Sequence, residues 1–352
     1  MAWGIAAMVL LGAAGTESWP ALPDTNGSAL IPVQEWPYQP GPRTARAYIR
    51  YPNKQRTAIT ADTGLMLSLH NWGGTDHLNA PDPQTLADRY NLVVISVDYV
   101  QSGKYDPQTQ PPYDHGLYQA LDALRALYWV WNELRAANTP LADDRIYTTG
   151  GSGGGNVSLM ANKLAPRTFA LVVDISGMAK LNDDIAYGLH GGSLLNAGYS
   201  RDPESERYLS PDAQAIRDNG HAQHLTRMRA LGNSAKVVVV HGAEDTACPT
   251  ADVHAMLEAY KTAGIDHDAH IIDTARIDGD PYKNTGHSIG DRTRILIDVA
   301  DTYLDPHAPT CARRKGPTDF ERKDDVVQYP GQDGTYIVSY TDGHPTLTYQ
   351  TN

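Results

Sequence analysis

Ser152 stands at the centre of the hexapeptide GGSGGG, Gly150 to Gly155. Glycine and serine in that mixture are the composition of a flexible linker, but the flanks rule a linker out. The strand-like run RIYTT (Arg145 to Thr149) enters the glycines directly, and an amphipathic helical pattern, NVSLMANKLA (Asn156 to Ala165), leaves them directly. Between strand and helix, Gly150-Gly151-Ser152-Gly153-Gly154 fits G-x-S-x-G, a turn sharp enough to lift a serine hydroxyl clear of the sheet. Side chains two residues to either side of the serine would collide at such a turn, and Gly150 and Gly154 have none. Gly155 lets the helix pack closer to the sheet.

A serine hydroxyl becomes a nucleophile only with a base beside it and an acid that orients the base. Asp245 lies just after the apolar run of VVVVHGAEDTACP, and His287 in NTGHSIGDRTRIL follows the last strand and precedes a helix. Ser152, Asp245 and His287 therefore occur in the chain order nucleophile, acid, base, each expected at the carboxyl end of a strand. Rivals for the acid are Glu244, Asp174 and Asp252, and Asp174 falls inside an apparent strand. Rivals for the base are His254 and His270, in helix and strand patterns, and His241, which precedes a strand-end glycine. An oxyanion would be held by the amide of Gly153 and by one from the loop after an early strand. His70-Asn71-Trp72-Gly73-Gly74 follows the run Gly64 to Leu69, so the second amide is assigned to Trp72, whose indole would wall the acyl pocket. Asn71 and Gly151 complete the candidate substrate contacts.

The elements that must position these groups alternate along the chain. Strand-like runs are read at 45–51, 64–70, 91–99, 145–150, 168–176, 236–242 and 268–273. Continuous Val, Ile and Leu in them mark strands buried on both faces. Helical periodicity separates them, most clearly in LYQALDALRALYWVWNELRAA, where Leu117, Leu121, Leu124, Leu127, Tyr128 and Trp131 share one side. The pattern predicts a doubly wound, mostly parallel α/β sheet. Residues 18–44 read as an extended lead-in and 45–308 as the main domain. An insertion at about 178–235 is read as a cap over the sheet's carboxyl edge. Residues 309–352 read as an appendage carrying a hairpin that turns near Asp342-Gly343. A second HGGS, at His190 to Ser193, has no strand before it and is assigned to the cap, with Tyr187, Tyr199 and Tyr208.

These motifs, from about Ala45 to Leu304, make the chain resemble the α/β-hydrolase superfamily. It is most similar to the prolyl-oligopeptidase-like and dienelactone-hydrolase-like branches, and also to an uncharacterised bacterial subgroup. HNWGG resembles an HGxGG oxyanion loop with Asn71 at the usual glycine. Gly151 departs from the pattern, since members more often carry a larger residue there. The resemblance implies a serine hydrolase that works through an acyl-enzyme on Ser152 and needs no cofactor. The substrate expected is a small-molecule or carbohydrate-linked carboxylic ester. A peptidase of prolyl-oligopeptidase type ranks second, and a catalytically silent binding protein third.

The remaining composition narrows partners and compartment. The net charge of −12 is a poor match for nucleic acid. The uncharged apolar stretch Ala2 to Gly15 is too short to span a bilayer, and is expected, within 1–17, to be a secretory signal despite lacking a basic start. That places the protein outside the cytoplasm, secreted or periplasmic, with no integral membrane segment in the mature chain. Cys248 and Cys311 allow one disulfide at most, and their spacing matches no zinc motif. The acidic run 266–280 likewise lacks metal-ligand spacing, so no metal is expected.

Overall fold

The computed structural model describes residues 18–352; the expected signal segment lies outside the described residues. Eight strands form one sheet in the order β1-β2-β4-β3-β5-β6-β7-β8. They are β1 (Gly27–Val33), β2 (Arg43–Arg50), β3 (Gly64–Leu69), β4 (Leu92–Asp98), β5 (Ile146–Gly151), β6 (Leu171–Ile175), β7 (Lys236–Gly242) and β8 (His267–Ile272). From β4 to β8 all pairings are parallel, and β2 runs antiparallel to both β1 and β4. Every residue of β3, β5 and β6 is buried, as their unbroken apolar runs require of strands covered on both faces.

Helices cover both faces. On one side lie α2 (Leu117–Ala136), α3 (Gly153–Leu164), α6 (Ala222–Leu231) and α7 (Thr250–Ala263), whose apolar stripes merge with the sheet into the larger core. On the other lie α1 (Pro83–Tyr90) and α8 (Arg292–Leu304), over a second core. The expected α/β-hydrolase layout is therefore the one observed. Helix α1, too short to show a full periodic stripe, escapes the sequence reading. Asp82 caps it by accepting from Thr85 N at 2.7 Å.

Three parts of the expected organisation change. The lead-in is not merely extended: residues 27–33 form β1, the sheet's edge, in register with all of 43–49 on β2. Pro32 suits an edge position, where one side of the strand needs no ladder bond. The insertion is also shorter than 178–235. Leu225 and Met228 of α6 belong to the main core, so α6 is the crossover helix that β6 and β7 need anyway. What remains, with α4 (Asp183–Tyr187) and α5 (Pro211–Ile216), builds a separate apolar cluster around Met178, Ile185, Tyr199 and Leu209, shared with Trp72, Tyr113 and Cys248.

The C-terminal appendage is more than a hairpin. The predicted turn joins β10 (Gly334–Ser339) to β11 (Thr346–Thr351), and β9 (Val326–Pro330) adds a third antiparallel strand. Phe320, Val327, Tyr329, Val338, Tyr340 and Leu347 enter the main core. The Tyr340 hydroxyl donates to the Leu164 carbonyl of α3 at 3.0 Å, and Tyr329 donates to Lys163 O. A buried ion pair fixes the approach: Arg167 Nε lies 2.7 Å from Asp319 Oδ1, and Asp319 Oδ2 accepts from Arg167 N and from the Thr168 hydroxyl. Removing one partner of such a pair leaves a buried charge uncompensated. Asp319→Ala should lower unfolding free energy by about 3–5 kcal/mol, read as a drop in the urea midpoint at unchanged m-value.

Candidate active site

The turn at Ser152 is forced by what surrounds it. Ser152 has φ 54° and ψ −119°, a positive φ that L-residues rarely adopt, and it precedes α3 directly. A Cβ on Gly150 would lie 2.3 Å from the Gly154 carbonyl carbon, and one on Gly154 would lie 2.1 Å from Leu69 O. Both obstructions are backbone, which cannot step aside. At Gly155 the obstruction is the Asp174 carboxylate, 2.1 Å from where a Cβ would sit.

Ser152, Asp245 and His287 come together in one hydrogen-bonded row. His287 Nε2 lies 2.9 Å from Ser152 Oγ, and His287 Nδ1 lies 2.7 Å from Asp245 Oδ2. A carboxylate accepts and cannot donate, so the proton sits on Nδ1 and Nε2 is left bare toward the serine hydroxyl. Asp245 is itself held: its Oδ1 accepts the amides of Ala247 and Cys248, each at 2.9 Å. His241, a rival for the base in the sequence, also reaches this acid. Its Nε2 lies 2.8 Å from Cys248 O and 3.4 Å from Asp245 Oδ2. Burial lowers its pKa, which keeps the ring a neutral donor.

The rivals are engaged elsewhere. Glu244 accepts from the Thr285 hydroxyl at 2.5 Å, and Asp252 pairs with Lys180 at 3.0 Å. Asp174 is wholly buried beneath α3, and that burial pushes its pKa up to about 7. His254 and His270 lie in α7 and β8, as their patterns predict. Ser193 of the second HGGS donates to Ala247 O at 2.8 Å, tying the cap to the loop that carries Asp245. Cys248 and Cys311 are free thiols. Among the described residues, the one cluster with metal-ligand spacing is Asp245, Cys248 and His287, and the Asp245 and His287 atoms in it already belong to the row just described.

Gly153 and Trp72, assigned from the sequence to an oxyanion hole, are neighbours in space. A Cβ on Gly153 would come within 2.6 Å of Trp72 N, so the start of α3 and the loop after β3 meet there. The Trp72 indole stacks on Tyr113, with ring centroids 3.6 Å apart and planes 6° from parallel, and meets Tyr105 edge-on at 5.6 Å. Tyr105 and Tyr113 come from the loop before α2, where no periodicity singles them out. Of the cap tyrosines, Tyr199 and Tyr208 line a different pocket, beside Trp36 and Tyr336.

His70 braces the loop. Its Nδ1 lies 2.8 Å from Asn71 O, a carbonyl that can only accept, so Nδ1 carries the proton and Nε2 accepts from the Ser102 hydroxyl at 2.7 Å. A cleft of about 540 Å³ opens beside His287, lined among others by Asn71, His77, Asn79, Asp82 and Arg292. Arg292 explains Gly151. A Cβ at 151 would fall 2.2–2.3 Å from Nη1, Cζ and Nε of Arg292, so the guanidinium lies face-on against the glycine. The bareness of Gly151 was the sequence signal for this contact, but nothing local names the partner.

Site and fold define an α/β-hydrolase-fold chain carrying a Ser-His-Asp row at the carboxyl edge of its sheet. A family model described as "Protein of unknown function (DUF2920)" matches residues 85–344, and the chain belongs to that family. No curated protein matches it. Among solved structures it is similar to Pyrococcus horikoshii acylaminoacyl peptidase, at 14% identity and a TM-score of 0.53, over 80% of this chain and 41% of the peptidase. Porphyromonas gingivalis dipeptidyl peptidase 4 aligns at 15% and 0.52, over 80% of this chain and 35% of that one. Apo Thermogutta terrifontis esterase 2 aligns at 14% and 0.50, over 81% and 95%. The chain thus spans less than half of either peptidase. At such identities the likeness is one of fold.

Two outcomes test this construction. Gly154→Ala drives a Cβ into the Leu69 and His70 carbonyls and should destabilise by roughly 2–3 kcal/mol, seen in thermal melts; an unchanged melting temperature would contradict the close approach. Burial lowers the pKa of His70 to about 4, whereas the unfolded side chain titrates near 6.5. The unfolded chain therefore binds this proton first, and stability present above pH 6.5 is lost as pH falls toward 4, by on the order of 3 kcal/mol. His70→Asn should flatten the fall in unfolding free energy across that window.

Proposed function

We propose that this chain is a serine hydrolase that cleaves carboxylic esters through an acyl-enzyme on Ser152. The observation that carries the reading is the row Ser152 Oγ–His287 Nε2–His287 Nδ1–Asp245 Oδ2, at 2.9 and 2.7 Å. In the proposed mechanism the Ser152 oxygen attacks the ester carbonyl while its proton passes to His287 Nε2. The imidazolium so formed is stabilised by Asp245, whose second oxygen is already saturated by two amides and so stays put. The carbonyl oxygen becomes an oxyanion facing the amides of Gly153 and Trp72. Collapse expels the alcohol, which takes the proton from Nε2. Water, deprotonated by the same nitrogen, then releases the acid and restores Ser152.

Ester cleavage is favoured over peptide cleavage by extent of similarity: the esterase aligns over 95% of its own length and the peptidases over 41% and 35%. The half-buried Trp72 indole, backed by the buried Tyr113 and met edge-on by Tyr105, offers an acyl or sugar group an apolar ring to lie against. Carbohydrate-linked esters remain our proposed natural class, with export proposed from the apolar stretch Ala2 to Gly15.

A fluorophosphonate probe should label the protein on Ser152, and Ser152→Ala should abolish labelling. Ser152→Ala or His287→Ala should lower kcat on short p-nitrophenyl esters by about 10⁴-fold or more. Full activity in either variant would sink the proposal. A panel of acyl lengths, acetylated sugars, feruloyl esters and dipeptide amides separates esterase from peptidase, and faster turnover of the amides would reverse the order of the two.

A further inference from the structure

Arg292 is a cation set beside the nucleophile with no carboxylate in contact with it among the described residues. Its guanidinium lies flat on Gly151, whose Cα is about 3.8 Å from that of Ser152. Its Nη1 donates to the Asn79 carbonyl, and Nε and Nη2 have no acceptor among the described residues. No carboxylate comes within ion-pair distance of it among those residues. Of the cleft's two histidines, His77 is held 3.1 Å from Asp76 and His287 is bonded to Asp245 and Ser152. The cleft's two carboxylates each cap a helix, Asp82 accepting from Thr85 N and Asp291 from Arg294 N, and the second oxygen of Asp82 lies 4.0 Å from His77 Nε2. Burial also lowers the Arg292 pKa, with Asp174 and Asp245 acting only through space. A half-buried guanidinium without a partner is costly to keep. Its free edge presents two N–H groups in the fork that matches a carboxylate.

We propose that Arg292 is a specificity-determining residue that binds a second carboxylate on the ester, within side-chain reach of the scissile carbonyl. The substrate class is then an acidic ester: a hemiester of a short dicarboxylic acid, or an ester of a hydroxy acid. The proposal rests on the serine hydrolase reading above. Gly151 is the enabling residue, since any side chain there would push the guanidinium off its seat. Asn71 and Thr293, on the same cleft wall, add polar groups around the bound anion.

The test compares esters matched in shape and differing in charge. Monoethyl succinate is set against ethyl 4-methylpentanoate for an acid on the acyl side, and acetoxyacetate against isobutyl acetate for one on the alcohol side. Acid release is followed in a pH-stat. In the wild type, kcat/KM should favour the charged member of at least one pair by roughly 10- to 100-fold, the worth of a charge-assisted bidentate contact. Arg292→Met should bring that ratio to about one or below, Arg292→Lys should restore part of it, and Gly151→Ala should lower it by displacing the guanidinium. A merely structural Arg292 would lower both members of a pair equally and leave the ratio alone, which overturns the proposal. So does a wild type that prefers the neutral member of both pairs.

Calorimetric binding of the charged esters to Ser152→Ala protein, with and without Arg292→Met, reads the same contact without turnover. Loss of at least tenfold in affinity with Arg292→Met is expected, and equal affinity overturns the assignment. Should the fluorophosphonate fail to label Ser152, the hydrolase reading falls by itself while the calorimetry still decides Arg292.

Discussion

The site hangs on how closely the start of α3 approaches the end of β3. Gly154 sits so near the Leu69 and His70 carbonyls that a methyl group could not be inserted. That contact brings Gly153 against Trp72, a Cβ on Gly153 falling 2.6 Å from Trp72 N, so the turn that exposes the serine also draws in the loop after β3. It also sets the direction of α3, with Ser152 N bonded to Ile175 O at 2.9 Å and Asn156 N to Ser152 O at 3.1 Å. A positive φ at a serine is unfavourable by itself and persists because strands on both sides over-determine it. The C-terminal sheet contributes from behind: Tyr329 and Tyr340 hold the last carbonyls of the same helix, at Lys163 and Leu164.

Around this turn the polar groups are graded by what they can exchange with solvent. Asp245 has both oxygens filled, one by two amides and the other by His287, so it has no freedom to reorient when the imidazole charges. His70 and His241 are kept neutral by burial and serve as fixed donors. The cap enters through the same loops: Ser193 binds Ala247 O, and Asp252 takes both Lys180 and Asn182. Cap and triad loop are therefore coupled by hydrogen bonds rather than by apolar contact alone.

The row of Ser152, His287 and Asp245 was legible because each member follows a strand, and strands buried on both faces leave unbroken apolar runs. The same reasoning placed β3 to β8 within a residue of their observed ends, except at β6, whose start was read three residues early. It missed β1, where a short run with a proline alternates weakly against solvent, and α1, too brief for a period to show. The appendage was read as a hairpin because Asp342-Gly343 marks its turn, while β9 carries no such mark. The contacts of Tyr105, Tyr113 and His241 were missed for a common reason. Their roles depend on packing between segments distant in sequence, and no spacing encodes that.

The glycines of GGSGGG look alike in sequence and separate in space. At 150 and 154 the obstructing atoms are backbone, so those glycines belong to the turn and would be demanded by any serine placed there. At 151 the obstruction is the tip of Arg292, arriving from the first turn of α8. Gly151 therefore answers to the electrostatics of the cleft. Proton transfer from Ser152 to His287 moves charge within the row but leaves its total at that of Asp245, one negative. Arg292 balances that charge through space without bonding to it, and so keeps its donors open. Under the proposed reading a neutral ester would make no use of them, whereas an acidic ester would meet a cation whose desolvation the folded protein has already borne.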